Sequence, residues 1–210
     1  MATLLDVRYW VKRTYEVRND LIGTDRVLEG MDAALSRLSK AVRKGSLQPS
    51  AARIEIARIV GRVFALEAML HVDVIIGVRE KYPGHCRYCR AVECRCGSRE
   101  QAATPPDTEV MRVNAAVREF QRMLQGIYGF RNAQAGVQAV LLHIFEEVAE
   151  VRRAILRDRR SIQEELSDVL AHTLGLATLL GVDVEAVLAD RYGAGCPECE
   201  REVCECSLDT

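Results

Sequence analysis

Apolar residues along this chain recur at helical spacing rather than at every second position. In the second half the pattern predicts helices over Asn114–Tyr128, Ala133–Leu156 and Ile162–Leu180. No window alternates convincingly with a period of two, so strands are not expected. Aromatic residues make up only 5% of the chain, which also favours helices over sheets. The sequence therefore predicts an all-α protein.

Proline and aspartate mark the starts of further helices. Pro49-Ser50 marks a break before a predicted helix over Ala51–Leu70 in the first half. Asp183 is predicted to be the N-cap of a short fourth helix in the second half, and Asp73 is its counterpart in the first. An aspartate suits this position because its side chain accepts hydrogen bonds from the unpaired N–H groups of the first turn.

The composition is that of a globular protein without a strong charge. Of the 210 residues, 49% are apolar and 28% are charged, which excludes a disordered or collagen-like chain. The net charge of −1 gives no basic excess, so nucleic-acid binding is not expected. Apolar stretches such as Val63–Leu70 are short and interrupted, here by Glu67, so no membrane span is expected. Because Met1–Arg13 carries Asp6 where a signal peptide is apolar, a cytoplasmic protein with reduced thiols is predicted.

All eight cysteines fall into two quartets with the same spacing, C-x2-C-x4-C-x-C. Four thiolates within eleven residues can surround one tetrahedral ion, and zinc is the usual occupant. A reducing compartment favours zinc over the alternative, which is two small disulfides in each quartet. A closed set of four ligands predicts structural zinc knuckles at 86–96 and 196–206. The predicted zinc ligands are Cys86, Cys89, Cys94, Cys96, Cys196, Cys199, Cys204 and Cys206.

The spacing of the cysteines also indicates a repeat. Cys86 and Cys196 are 110 residues apart, as are the other three pairs of cysteines. The same offset pairs Val7-Arg8 with Val117-Arg118 near the start of each half. One offset without gaps over nearly the whole of both halves predicts a duplicated unit. The predicted copies are residues 1–97 and 111–207, joined by a polar, proline-containing linker at 98–110.

Two predicted helices of the second copy carry carboxylates that could perform chemistry. Glu146, Glu147 and Glu150 lie on one helix and Glu165 and Asp168 on the next, and residues three or four apart share a helix face. Antiparallel packing of the two helices would bring these carboxylates together, where they repel one another unless cations lie among them. Oxygen ligands of this kind suit Mg²⁺ or Mn²⁺.

The glutamates of the first of these helices also fit an ordinary solvated face. They fall opposite apolar residues such as Leu141 and Ile144, as a polar surface would. On the second helix Glu165 and Asp168 instead begin a partly apolar stripe, and a half-buried carboxylate pair needs a partner such as a divalent ion. His172, four residues after Asp168, either hydrogen-bonds a metal-bound carboxylate or is a packed helix histidine.

These acidic residues resemble the motif of a known family. Glu146-Glu147-Val148-Ala149-Glu150 followed by Glu165-Leu166-Ser167-Asp168 is similar to the EExxE…ExxD signature of the MazG-like all-α nucleoside triphosphate pyrophosphohydrolases. Arg191-Tyr192 before the second quartet resembles a cysteine-bearing C-terminus in some small members, and Lys81-Tyr82-Pro83-Gly84 resembles it more closely still. The resemblance covers most of the second half and, more weakly, the first.

The resemblance implies a reaction and a set of site residues. Members of this family use carboxylates to hold magnesium on a nucleoside triphosphate, and water attacks the α-phosphorus to release the monophosphate and pyrophosphate. Carried over to this chain, the metal ligands would be Glu146, Glu150, Glu165 and Asp168, with Glu147 as a further ligand or as the catalytic base. Because the family builds its sites from helices of associated subunits, a pseudo-dimer of the two copies is expected, and a further homo-dimer stays open.

The first copy departs from this pattern. Only Glu55 matches an acid, at the position of Glu165. Neutral or basic residues replace the others at the offset of 110, namely Ser36 at Glu146, Arg37 at Glu147, Lys40 at Glu150 and Arg58 at Asp168. The first copy is therefore predicted to be degenerate, with its basic residues as surface charges or, alternatively, in contact with a substrate phosphate across the interface. Other candidates for phosphate contacts are Arg131, Arg152 and Arg191.

Two other functions stay open at the level of sequence. Loss of acids from one copy is typical of pseudoenzymes, so the two knuckles could bind a protein or a nucleic acid without catalysis. The first knuckle is basic, with Arg87 and Arg90, and the second is acidic, with Glu198 and Glu200, as an interaction surface could be. A pyrophosphohydrolase acting on another substrate, such as a phosphoribosyl nucleotide, would use the same carboxylates.

Overall fold

The computed structural model describes residues 1–94, 96 and 112–207, which form six α-helices and no strand. The helices are α1 (Leu4–Arg43), α2 (Pro49–Leu70), α3 (Val74–Lys81), α4 (Val117–Ile155), α5 (Arg159–Leu179) and α6 (Val184–Tyr192). The prediction of an all-α fold is confirmed. The predicted linker at 98–110 lies outside the described residues, as do the predicted ends of the two copies, 97 and 111.

The short helices begin where the sequence predicts. The side chain of Asp73 accepts a hydrogen bond from the backbone N–H of Ile76 at 2.9 Å, and Asp183 accepts one from Ala186 at 3.3 Å. Pro49 is the first residue of α2, where its missing N–H costs nothing because no helical partner exists for it. Local sequence signals therefore place three of the helix starts.

Both long helices bend at a glycine. Gly23 in α1 and Gly136 in α4 have φ angles of 80° and 81°, which residues with a side chain rarely adopt. The sequence predicts a break after Tyr128, whereas α4 continues through that region and bends at Gly136. The positive φ of this glycine, rather than a lapse in the apolar pattern, interrupts the helix.

The two halves repeat the same order of helices, but the single offset of 110 is wrong for the first helix of each half. From α2 and α5 onward the N-caps and cysteines do correspond at 110. In α1 and α4 equivalent features are 113 residues apart, as the kinks at Gly23 and Gly136 show. The offset changes because α1 is longer than α4 and the connection at 44–48 is longer than that at 156–158. Val7 therefore corresponds to Phe120, not to Val117.

The last helix of each half packs against the opposite half. Within each half the first two helices pack together, α1 on α2 and α4 on α5, and α2 meets α5 in one shared core. In contrast, α3 packs on α5 of the opposite half, and α6 packs on α2. The hydroxyl of Tyr192 donates a hydrogen bond to Ala57 O at 3.0 Å across this contact. Gly61 leaves room for this hydroxyl, since any side chain at that position would collide with it. Each half therefore completes the other.

Within the described ranges, no single helix has both the length and the apolar composition needed to cross a membrane. Taken together, α5 and α6 have the length and composition of a membrane span, but the pair is bent by 111°.

Candidate functional site

Three carboxylates converge between α4 and α5. Glu147 and Glu150 lie three residues apart on α4, and Glu165 approaches them from α5. Ligand oxygens of these three side chains lie within 4.8 Å of one another. The side chain of Glu150 is more exposed than that of Glu147 and also accepts a hydrogen bond from Arg153 at 2.9 Å. The short connection at 156–158 makes α4 and α5 an antiparallel pair, which brings the two acidic faces together.

Burial and mutual repulsion favour the protonated forms of these carboxylates. Burial, together with the charges of Asp168, Glu150 and Glu165, raises the pKa of Glu147 to about 7. Burial also raises the pKa of Glu165, while Lys81 opposes this shift. A cation among the three carboxylates would offset both effects. The donor set, which is all carboxylate oxygen, fits a hard divalent ion such as Mg²⁺ or Mn²⁺.

Asp168 faces the same cavity but is held by the first half of the molecule. Its Oδ2 pairs with the Lys81 ammonium, and its Oδ1 accepts a hydrogen bond of 2.5 Å from the Tyr82 hydroxyl. Burial and the neighbouring Asp168 carboxylate raise the pKa of Tyr82 well above its usual value, so this hydroxyl remains a donor. Asp168 is therefore not one of the three converging ligands, although its charge acts on Glu147.

Glu146 does not join the cluster. Its side chain is 57% exposed, against 17% for Glu147, and its Oε2 lies 3.0 Å from Nδ1 of His143. One residue along a helix turns the side chain by about 100°, so neighbouring glutamates cannot both face α5. The structure therefore places Glu147, rather than Glu146, beside Glu150 and Glu165. The predicted role of Glu146 as a metal ligand remains a prediction for mutagenesis.

His172 borders the cluster. Its Nε2 lies 3.6 Å from Oε1 of Glu147, and its ring stacks on His143 with centroids 5.7 Å apart. Burial lowers the pKa of His172, against the opposing charge of Asp168. A neutral imidazole in this position adds no charge that would repel a cation.

Both halves line the cavity beside the cluster, which has a volume of about 220 Å³. Tyr82, Arg87 and Tyr88 come from the first half. Of the arginines considered for phosphate contacts, Arg131 lines this cavity, whereas Arg152 pairs with an aspartate of α1 at 2.5 Å. Residues that sequence reasoning missed here are Lys81, Tyr82, Tyr128 and Asn132. The correspondence of Lys81-Tyr82 with Arg191-Tyr192 at the offset of 110 was the available signal for the first two.

The two cysteine quartets form sites of matching geometry. In each, the four Sγ atoms lie within 4.8 Å of one another, and none of the eight cysteines forms a disulfide, so the disulfide alternative is wrong. The Cys86–Cys96 and Cys196–Cys206 sulfurs are 3.7 and 3.8 Å apart. A zinc ion with Zn–S bonds of about 2.3 Å would place its sulfurs about 3.8 Å apart, so both quartets fit zinc.

Backbone hydrogen bonds favour the thiolate form of the first cysteine in each quartet. Burial opposes ionisation of Cys86, but backbone N–H groups of Cys89 and Tyr88 outweigh it and lower its pKa to about 7. The pKa of Cys196 is lowered to about 7 in the same way. Thiolates are the form that binds a metal.

Each knuckle docks on the first helix of the opposite half. The backbone N–H of Cys94 donates to Ile127 O at 2.7 Å, and that of Cys204 donates to Thr14 O at 2.8 Å. The first knuckle also supplies Arg87 and Tyr88 to the wall of the acidic cavity. An ion in this knuckle would therefore organise the cavity without lying in it.

Comparison with known proteins bears on the segment that carries these carboxylates. Residues 135–192 match the family model described as the MazG nucleotide pyrophosphohydrolase domain. This segment is similar to the MazG domain. The MazG match begins next to the kink at Gly136 and ends with α6, so it includes Glu147, Glu150, Glu165 and Asp168. No curated protein and no solved structure matches the chain. Lys81 and Tyr82, which hold Asp168, lie outside the MazG match.

Removing the charge of Lys81 should destabilise the protein. Lys81 and Asp168 are only 12% and 14% exposed, so Lys81→Met leaves a nearly buried carboxylate without its ammonium partner. In the absence of divalent cations we expect a loss of about 2–4 kcal/mol in the free energy of unfolding, measured with urea. Adding Asp168→Asn should recover part of this loss, because the uncompensated charge is then removed.

Lys12→Met is the matched control for that measurement. Lys12 pairs with Glu16 at 3.5 Å on the exposed face of α1, and an exposed pair contributes less than about 1 kcal/mol. Equal stability of Lys81→Met and the unmodified protein would contradict the pairing of Lys81 with Asp168.

Proposed function

We propose that this chain hydrolyses a nucleoside triphosphate to the monophosphate and pyrophosphate, with Mg²⁺ or Mn²⁺ at the acidic cluster. One observation carries the proposal: Glu147, Glu150 and Glu165 converge within 4.8 Å inside the segment that matches the MazG domain. Exposed acidic groups are common without a metal, but this set is half-buried and the pKa of Glu147 is raised. The same three residues are therefore supported by geometry, electrostatics and family.

Glu150 and Glu165 would hold the metal directly, and Glu147 would be either a third ligand or the base for the water. When bound, the dication would neutralise phosphate charge and lower the pKa of the attacking water. Without it, carboxylates would repel a triphosphate. Lys81 and Tyr82 orient Asp168 next to the three carboxylates of the cluster. The first half of the chain would thereby position a carboxylate of the site.

Glu147 is the proposed base for the water, although it could serve as a ligand instead. The pKa of Glu147 is about 7 without a metal, and a cation beside it would lower this value, so Glu147 would be ionised and able to accept a proton from water. The neutral ring of His172, 3.6 Å away, leaves Glu147 without a competing cation on that side.

The wall of the cavity suits phosphates. Arg87 and Arg131 line it, and guanidinium groups bind phosphate oxygens well. A volume of about 220 Å³ is below the ~300–1,000 Å³ of most small-molecule pockets, so the enclosed part would hold the phosphates. The nucleoside would extend towards Tyr88, whose exposed ring lies under Arg87 at 5.0 Å.

Product analysis in ¹⁸O-labelled water tests the reaction. The full chain with Mg²⁺ and a panel of triphosphates should release pyrophosphate, and the label should appear in the monophosphate because water attacks the α-phosphorus. Release of orthophosphate and a diphosphate would contradict this mechanism. Unchanged turnover without divalent cations would contradict the metal site, and no turnover with any nucleotide would favour the non-catalytic alternative.

A further inference from the structure

A second and larger cavity occupies the equivalent position in the first half. Its volume is about 620 Å³, within the ~300–1,000 Å³ that is usual for small-molecule pockets. Arg191, Tyr192 and Glu198 of the opposite half close it, just as Tyr82 and its neighbours close the acidic cavity. At the structural offset of 113 its wall repeats that of the acidic cavity, with Tyr15, Arg18 and Asn19 in place of Tyr128, Arg131 and Asn132.

The two cavities have opposite chemistry on this shared framework. Positions of the acidic site that carry Glu150, Asp168 and His172 are occupied in the first half by Arg37, Arg58 and Arg62, which all line the cavity. Carboxylates hold a phosphate only through a metal, whereas guanidinium groups bind phosphate oxygens directly and often with two parallel hydrogen bonds. The substitutions would therefore replace metal-mediated binding by direct binding.

One buried carboxylate pairs with two of these arginines, although it does not line the cavity itself. Glu55 accepts hydrogen bonds from Arg37 at 2.8 and 2.9 Å and from Arg58 at 2.8 Å. A single negative charge thus faces two guanidinium groups. It holds them in a fixed arrangement but neutralises only one of them.

The remaining carboxylate is near the surface. Glu198 lies 3.1 Å from Arg191 and 3.9 Å from Arg58, and its own side chain is exposed. The Nε of Arg191 is buried and has no hydrogen-bond partner among the described residues. Arg191 itself lines the cavity, and the contact with Glu198 involves only one of its guanidinium nitrogens.

Arg62 is the least compensated of these arginines. It donates a hydrogen bond of 3.1 Å to Arg58 O, and no carboxylate of residues 1–94, 96 and 112–207 lies within ion-pair distance of it. Burial lowers its pKa, as expected for a cation that lacks an anion. Its guanidinium packs on Gly30, where any side chain would collide with it. Arg37, Arg58, Arg62 and Arg191 thus have two carboxylates between them, Glu55 and Glu198, and neither of these lies within ion-pair distance of Arg62.

We propose that this cavity binds a di- or triphosphate anion, as part of a nucleotide or as free pyrophosphate, without a metal ion. Arg62, Arg58 and Arg191 would contact the phosphates, since several cations around one cavity suit more than one phosphate group. Val11, Val27 and Ala65 give the cavity an apolar wall that would accept a nucleoside. The half of the chain that lacks the acidic ligands thereby has a binding function of its own, independent of hydrolysis.

Calorimetric titration of the full, zinc-loaded chain in buffer without divalent cations tests this binding. ATP, ADP and inorganic pyrophosphate are the probes, and AMP is the weak comparator, which should bind at least about tenfold less tightly. Arg62→Gln should raise the Kd of the polyphosphates at least about tenfold. Arg53→Gln is the matched control, because Arg53 lies on the same helix, is exposed and contacts Asp190 at 3.3 Å outside the cavity; its Kd should not change.

Further variants make the outcome decisive. Arg37→Gln removes a cavity charge from a side chain that is 50% exposed, so it repeats the test if Arg62→Gln does not fold. Glu150→Gln separates this site from the proposed reaction, because it should stop hydrolysis and leave metal-free binding intact. Loss of metal-free binding in Glu150→Gln would overturn the proposal. Absence of polyphosphate binding, or unchanged binding in both arginine variants, would overturn it as well. Pyrophosphate binding as tightly as ATP would assign recognition to the phosphates, whereas tighter ATP binding would add the nucleoside.

Discussion

Glu165→Gln should slow pyrophosphate release at least about a hundredfold, while Glu164→Gln should leave it within about twofold. The two residues are neighbours on α5, but only Glu165 brings an oxygen within 4.8 Å of Glu147 and Glu150. Glu164 is exposed and pairs with Arg160 at 3.1 Å. Glutamine keeps the shape of the side chain and removes the charge that a cation requires. Initial rates over a Mg²⁺ titration measure the effect.

Stability measurements distinguish this loss of function from misfolding. Because burial raises the pKa of Glu165, Glu165→Gln should not lower the melting temperature of the metal-free protein. Added Mg²⁺ should raise the melting temperature of the unmodified chain more than that of the variant. Equal rates for Glu164→Gln and Glu165→Gln would remove the acidic cluster from the mechanism.

Rates of pyrophosphate release in glutamine variants also distinguish the roles of Glu146 and Glu147 on α4. Glu147→Gln should lose as much activity as Glu165→Gln, because Glu147 is in the cluster. Glu146→Gln should lose less, since its carboxylate is exposed and lies beside His143. Equal losses in both variants would support the ligand set that the sequence predicts, with Glu146 in it.

Cys86→Ser and Cys196→Ser should each reduce the zinc content from about two ions per chain to one and lower the free energy of unfolding by about 3 kcal/mol or more. Each quartet is closed by four thiols, so one lost thiolate opens the coordination sphere. The released knuckle would also lose its docking bond, Cys94 N to Ile127 O in one case and Cys204 N to Thr14 O in the other. Elemental analysis and thermal unfolding measure the two effects.

The two cysteine variants act as controls for each other. Cys86→Ser frees the wall that contains Arg87 and Tyr88, so it should reduce pyrophosphate release more than Cys196→Ser does. Cys196→Ser frees the knuckle that closes the arginine-lined cavity, so it should weaken metal-free polyphosphate binding more than Cys86→Ser does. Unchanged zinc content in either variant would contradict the assignment of that quartet.

Features that depend on near neighbours in the chain could be predicted. The N-caps at Asp73 and Asp183 and the proline at the start of α2 require only the geometry of one helical turn. The cysteine quartets lie within eleven residues each, so their spacing alone predicts a metal site. The acidic pairs on α4 and α5 are three residues apart and share a face for the same reason.

Which of two adjacent residues enters the site could be decided only from the packing of the helices. The sequence favoured Glu146 as a ligand from the motif, but the rotation of α4 against α5 turns Glu147 inward. An offset of 110 assigned Arg37 to Glu147, whereas the different helix and connection lengths assign it to Glu150. A pattern of apolar and polar residues does not predict how far one helix is rotated against another or how long the connection between them is.

The sequence by itself determined that this protein is helical, that it carries two cysteine quartets, and that acids lie on one half and arginines on the other, because local spacing encodes each of these. Only the tertiary structure decided that each half closes the cavity of the other. Lys81 and Asp168 are separated by most of a repeat and meet because α3 packs on α5. Contacts between distant residues depend on how whole helices bury their apolar faces, and that arrangement is a property of the assembled core.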